Sequence, residues 1–187
     1  MRAGAVKRAL AEAHQVDLAV YAAIAGTSTP TLDRAMSGLS RTADHSKISI
    51  AAAAFLALAR GPEGRHAAMM GMASVAVTSA VVNLGLKPLL RRRRPDRASA
   101  SVPAARRVSM PVSRSFPSGH SAAAFAFAAG AGRVLPSTAP ALTALATLVA
   151  YSRVHTGVHY PGDVIAGSLC GLALSTATTM AAERVSH

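Results

Sequence analysis

The sequence predicts an all-α integral membrane protein: a helical bundle of about five spanning helices, preceded by an N-terminal amphipathic helical segment. Composition carries the first part of that expectation. Of 187 residues, 51% are hydrophobic and only 15% charged, whereas a soluble domain of this length carries about a quarter charged residues. The mean hydropathy is +0.32. The second observation is a set of charge-free apolar stretches at residues 48–59, 67–86, 121–132, 140–152 and 164–182. The third is the contrast with residues 1–46, where Lys7, Arg8, Glu12, Asp17, Asp33, Arg34, Arg41 and Asp44 interrupt the apolar positions.

Taken in order, residues 1–46 form the interfacial segment and residues 47–187 the membrane domain. Leu10, Ala13, Val16, Val20 and Ala23 recur at helical spacing, as expected of a helix that lies on the membrane surface or caps the bundle. Glu12, His14 and Asp17 fall where the apolar core of a cleavable signal peptide would sit, so this segment is expected to stay on the mature protein. Thr29-Pro30 reads as a helix start, with the hydroxyl as cap and the proline in the first turn. Among the five apolar stretches only the second and last approach the roughly 20 residues of a spanning helix. The others must borrow flanking residues or thin the bilayer. Ala122, Ala126, Ala129 and Gly130 give one helix a face on which backbones can approach closely. Thr78, Ser79 and Asn83 are read as hydrogen-bonding between helices. Residues 97–115 form a long polar connection, either shaping a site or acting as a flexible linker. Cys170 stands alone in an apolar stretch, which suggests neither a disulfide nor a redox motif, and the seven Met residues are read as packing.

Three clusters carry chemistry. In the first, Lys87, Arg91 and Arg94 sit at i, i+4 and i+7, on one face if the helix continues, with Pro88 placed to kink its last turn and Pro95 to end it. Pre-placed cations of this kind stabilise the charge on a transferring phosphoryl group; Arg91, Arg92 and Arg93 read as a solvated or headgroup-binding patch. In the second, Pro117-Ser118-Gly119-His120 precedes an apolar run, placing Ser118 and the Gly119 amide at a helix N-terminus, where an anion is attracted and glycine permits close approach. His120 would face that anion and could protonate a departing oxygen. In the third, Ser152-Arg153 is followed by His159 and Asp163, four residues apart. The carboxylate can hold one imidazole nitrogen and leave the other free to attack phosphorus. Gly157 and Pro161-Gly162 supply the turns. His155 reads as packing or loop-capping, with substrate contact the alternative, and Asp44-His45 as an interfacial anchor.

The order and spacing of these clusters resemble the signature of the type 2 phosphatidic acid phosphatase superfamily. Lys87 to Pro95, Pro117 to His120 and Ser152 to Asp163 match all of its parts. The resemblance implies a membrane lipid phosphatase working through a phosphohistidine. His159 would be the nucleophile, His120 the general acid that later activates water, and Asp163 the orienter of His159. Lys87, Arg94, Ser118, Gly119 and Arg153 would bind the phosphate oxygens, and the resemblance implies no metal or other cofactor. The substrate would be a lipid phosphate monoester or diphosphate, such as phosphatidate, phosphatidylglycerol phosphate, a polyprenyl diphosphate or a polyprenyl-linked sugar phosphate.

Two rival readings are a vanadate-dependent oxidase using the same oxyanion pocket and a non-enzymatic protein that binds anionic headgroups. The formal net charge of +12 invites nucleic acid as a partner, but the basic residues border apolar stretches and aromatics make up only 4% with no Trp, so the bilayer is the expected partner. With five spans, every Lys and Arg except Arg60, Arg65, Arg133 and Arg184 falls on the face that carries the three clusters. The positive-inside tendency then turns that face toward the cytoplasm of the cell membrane. Oligomeric state and the preferred lipid are not legible in the sequence.

Overall fold

The computed structural model describes residues 2–185, and all regular structure among them is helical. Two helices make up the N-terminal segment, α1 (Arg2–Gly26) and α2 (Pro30–Thr42). The bundle consists of α3 (Lys47–Ala59), α4 (Gly61–Leu89), α5 (Gly119–Val134), α6 (Ala139–His155) and α7 (Pro161–Val185). Single tight turns lie at Asp44–Ser46, Ala104–Arg106 and Pro136–Thr138. Of these helices α4 and α7 are long and apolar enough to cross a membrane, at 29 and 25 residues; α3, α5 and α6 have 13, 16 and 17 residues.

Helix α5 is the centre of the bundle, packed against α4, α6 and α7, while α3 and α4 form an antiparallel hairpin. The interior is built from small side chains. Ala67, Ala126 and Ala131 are wholly buried, with Phe127 and Leu56 filling the space between them. The expected small-residue face is present: a Cβ on Gly130 would stand 2.5 Å from Ser74 Oγ, and one on Gly171 would run into the Ala122 carbonyl of α5. Backbones approach here because nothing larger than hydrogen separates them. The outside is inverted relative to a soluble bundle. Phe55, Leu58, Leu84, Ile165 and Leu169 are exposed, which is stable where lipid rather than water surrounds the helices. This is a membrane protein.

Several local expectations need correction. Helix α4 does not carry the cation cluster to Arg94. It passes through a π-helical stretch at Val81–Leu86, then one last turn, and stops at Leu89, so Arg91 and Arg94 are not on one helical face. A π turn of this kind recurs at functional sites, and here it presents Asn83 and Lys87 to the cavity described below. Of the side chains expected to bond between helices, the buried Thr78 hydroxyl has no partner among the described residues, while Ser175 of α7 donates to Ser74 of α4 at 3.1 Å. Helix α2 does start at Pro30, yet Thr29 donates its hydroxyl to the Asp33 carboxylate at 2.8 Å rather than capping the backbone. In α1 the stripe that includes Leu10, Val16 and Val20 is exposed, and the helix meets the bundle through a neighbouring face bearing Asp17, Tyr21 and Ala25.

The chain's reversals decide where chemistry collects. Helices α4 and α6 end, and α3, α5 and α7 begin, at the same side of the bundle, so Asp44, Lys87, His120, Arg153 and His159 converge there from distant parts of the sequence.

Candidate active site

His159 occupies the loop between α6 and α7 and is 1% exposed. Gly157, at φ 69°, makes the left-handed turn that brings it back over the bundle. The His159 Nε2 atom lies 3.2 Å from Arg94 Nη1. A guanidinium can only donate, so Nε2 holds a lone pair and the ring proton sits on Nδ1. That nitrogen is 3.4 Å from Asp163 Oδ2. Burial pushes the imidazole down to about 4, with the neighbouring Arg94 and Arg153 charges acting in the same direction and Asp163 opposing them. At neutral pH the ring is therefore an uncharged base with Nε2 toward the cations. Asp163, wholly buried in the first turn of α7, is held by the Ser115 hydroxyl at 2.5 Å and the Tyr160 amide at 3.0 Å.

The cations are fixed by their neighbours. Arg94 reaches the site on irregular chain beyond the end of α4, donating to the Val158 and Ser113 carbonyls at 3.0 and 2.8 Å and to Ser113 Oγ at 3.2 Å. Burial lowers it to about 10, which leaves it charged at neutral pH. Lys87 shares the same Ser113 hydroxyl at 3.4 Å. Arg153 is 1% exposed and is pinned by Ser40 of α2, through the carbonyl at 3.0 Å and the hydroxyl at 2.6 Å. Its Nε is buried with no partner among the described residues. Such an orphan donor is costly, and a phosphate oxygen is the kind of acceptor that would satisfy it.

Ser118 caps α5, its Oγ accepting from the Ser121 amide and hydroxyl at 3.4 and 2.9 Å. The Ser118 amide donates to the Asp163 carbonyl at 2.9 Å, which ties the second cluster to the third. A Cβ on Gly119 would lie 3.2 Å from Lys87 Nζ and 3.4 Å from Asn83 Oδ1, so glycine opens this helix end to the lysine. His120 follows in the first turn. A cavity of about 280 Å³ runs from Lys87, Gly119 and His120 down to Phe127, Leu142 and Val149, between α3, α5 and α6. Its polar head and apolar floor fit a phosphate on a hydrocarbon tail.

The structure thus brings together all eight residues expected at the site. It also adds residues that the sequence reading missed or misplaced. Asp44, read as an interfacial anchor, lies 2.9 Å from His120 Nε2 and 3.6 Å from Arg153 Nη1. Left-handed backbone at His45 and Ser46, φ 56° and 57°, turns the chain at this point. Arg92, read as part of a solvated patch, pairs with Asp163 at 2.9 Å. His155 packs beneath α2 with Nε2 2.9 Å from Asp33, which also binds the fully buried Arg106 at 2.7 Å. The 97–115 connection is therefore a shaped part of the site: Arg106 anchors it, and Ser113 and Ser115 touch the cations and Asp163. One sequence signal could have pointed to these residues. Only 8 acids accompany 20 basic residues, and a scarce carboxylate beside buried cations is an expected partner.

The PAP2 superfamily model matches residues 68–185. The chain belongs to the PAP2 superfamily. Decaprenylphosphoryl-5-phosphoribose phosphatase of Mycolicibacterium smegmatis is 36% identical over 151 residues, covering 80% of this chain and 78% of that protein. Two crystal structures share the PAP2 fold seen here. The PAP2-type phosphatidylglycerolphosphate phosphatase of Bacillus subtilis superposes with a TM-score of 0.69 at 25% identity, over 93% of this chain and 88% of the other. Aquifex aeolicus LpxE gives a TM-score of 0.68 at 24% identity, over 87% and 94%.

Proposed function

We propose that this PAP2 protein is a lipid phosphatase that removes a terminal phosphate through a phosphohistidine on His159. The observation that carries the reading is the neutral His159 ring. Its proton is directed at Asp163 and its free nitrogen faces Arg94. Phosphate enters among Lys87, Arg94, Arg153, Ser118 and the Gly119 amide. Nε2 of His159 attacks phosphorus as the bond to the leaving oxygen breaks, and His120 gives that oxygen its proton. His120 then takes a proton from water, which attacks the phosphohistidine and releases inorganic phosphate. The cations neutralise charge on the equatorial oxygens throughout.

The substrate class we favour is a polyprenyl-linked sugar phosphate, since the relative aligned over most of both chains is a decaprenylphosphoryl-5-phosphoribose phosphatase. The apolar floor of the cavity suits a long hydrocarbon tail. Residues 47–187 would constitute the phosphatase domain with five spans in the cell membrane, and residues 1–46 a segment that caps it. The distribution of Lys and Arg supports a site on the cytoplasmic side.

The test is phosphate release by detergent-purified protein in the presence of chelator. The substrates are a polyprenyl phosphoribosyl phosphate, phosphatidate, phosphatidylglycerol phosphate and undecaprenyl diphosphate. Release should be fastest from the first and vanish in His159→Ala. Folded wild-type protein that releases phosphate from none of them would overturn the reading.

A further inference from the structure

Arg92 lies inside the six-residue spacer between Lys87 and Arg94. Unlike the exposed Arg91 and Arg93, it turns inward behind the nucleophile. Its Nη1 donates to Asp163 Oδ1 at 2.9 Å and its Nη2 to Asp17 Oδ2 at 2.7 Å. Nη2 also lies 3.2 Å from His14 Nδ1, and the guanidinium carbon stands 4.3 Å from the centre of the Tyr160 ring. Asp17 uses its other oxygen to accept the Gly162 amide at 2.6 Å. A carboxylate from α1 thus sits on the N-terminus of α7, where a negative charge is favoured. A Cβ on Gly162 would come within 2.7 Å of that carboxylate, so glycine makes the approach possible.

The chain of contacts has a chemical consequence. Once Nε2 of His159 bonds to phosphorus, the ring is cationic and its Nδ1 proton faces Asp163. Asp163 must then be an anion with Oδ2 directed at the ring. It is wholly buried, and a buried carboxylate with an unsatisfied oxygen turns or takes up a proton. Arg92 satisfies Oδ1 and leaves Oδ2 for His159, Ser115 and the Tyr160 amide. A guanidinium alone would also cancel the charge that the ring needs. Asp17 offsets it, so that the group of three retains one negative charge. Asp17 lies outside residues 68–185, the region matched by the family model.

We propose that Asp17 and Arg92 are positioning residues for phosphoryl transfer, a carboxylate–guanidinium pair that holds Asp163 ionised and aimed at His159. The proposal rests on His159 being the nucleophile. It is tested on the full-length protein in detergent by steady-state phosphate release from the lipid phosphate that the wild type cleaves fastest, with Arg93→Gln as the control. Arg92→Ala should lower kcat about 100-fold, with KM held within about twofold because the side chain does not touch substrate. Millimolar guanidinium should restore turnover saturably, whereas the same concentration of urea should not. Arg92→Lys should retain part of the activity.

A kcat for Arg92→Ala close to that of Arg93→Gln would overturn the proposal, as would a raised KM at unchanged kcat or equal rescue by urea. Should Arg92→Ala fail to fold, Asp17→Asn decides. It keeps the side chain's size but leaves an acceptor for only one of Arg92 and the Gly162 amide and removes the charge, so kcat should fall about tenfold with KM preserved, and an unchanged kcat would sink the pair. Wild-type protein without phosphatase activity would instead refute the reading of the site. Activity lost in His159→Ala but kept in Arg92→Ala would refute the pair alone.

Discussion

Gly167→Ala, a change of one methyl group in an apolar helix, should disable the site from behind. Gly167 lies on α7 one turn beyond Asp163, where the helix crosses the start of α5. An added Cβ would run into the Ser118 carbonyl oxygen and stand 3.2 Å from both the carbon and the nitrogen of that residue. These are backbone atoms and cannot rotate away, as a side-chain tip could. Restoring ordinary contact requires α7 and the Ser118 segment to separate by about 1 Å, and a displacement of that size at a reacting centre costs about 100-fold in rate. The Ser118 amide also holds the Asp163 carbonyl at 2.9 Å, so the same movement pulls the phosphate-binding helix end away from the nucleophile. Overpacking of this kind costs about 1–3 kcal/mol of stability. The assay is kcat for phosphate release together with the thermal midpoint in detergent. Gly38→Ala is the control, because a Cβ there meets nothing within 4 Å. Turnover within about threefold of wild type would show that this backbone contact does not set the site's geometry.

Two further outcomes follow from the geometry. Asp44→Asn should lower kcat about tenfold, because the carboxylate 2.9 Å from His120 Nε2 orients the proton donor; unchanged turnover would remove Asp44 from the mechanism. His159 is held down to about 4 by burial, whereas in the unfolded chain it takes up its proton near 6.5. The unfolded state therefore binds more protons between these values, so stability rises with pH across this window. The contribution is fully present above about pH 6.5 and lost toward pH 4, about 3 kcal/mol in all. Thermal midpoints at several pH values should fall less steeply on acidification in His159→Gln, and parallel curves for the two proteins would contradict the assignment.

The family of this protein was legible in its sequence, and so was its helical, membrane-embedded character. Lys87, Arg94, the Ser118-Gly119-His120 run, Arg153, His159 and Asp163 stand at spacings set by the local backbone of a helix end or a tight turn, which sequence reports directly. Charge-free stretches likewise report helices that face lipid, because that property is local. What surrounds those residues was not local. Helix α4 stops at Leu89 after a π turn, so Arg94 arrives on irregular chain and Arg92 turns inward to Asp163. The apolar stripe of α1 faces outward and its Asp17 faces in, because the membrane reverses the usual rule that apolar side chains seek the interior. Asp44 looked like an anchor until α2 and α3 placed it against His120, 76 positions away in the chain. The sequence by itself determined which groups are available to handle a phosphate. Tertiary structure alone decided which carboxylate meets which cation, since a buried charge chooses its partner by proximity in space, and that proximity is created only when the helices pack.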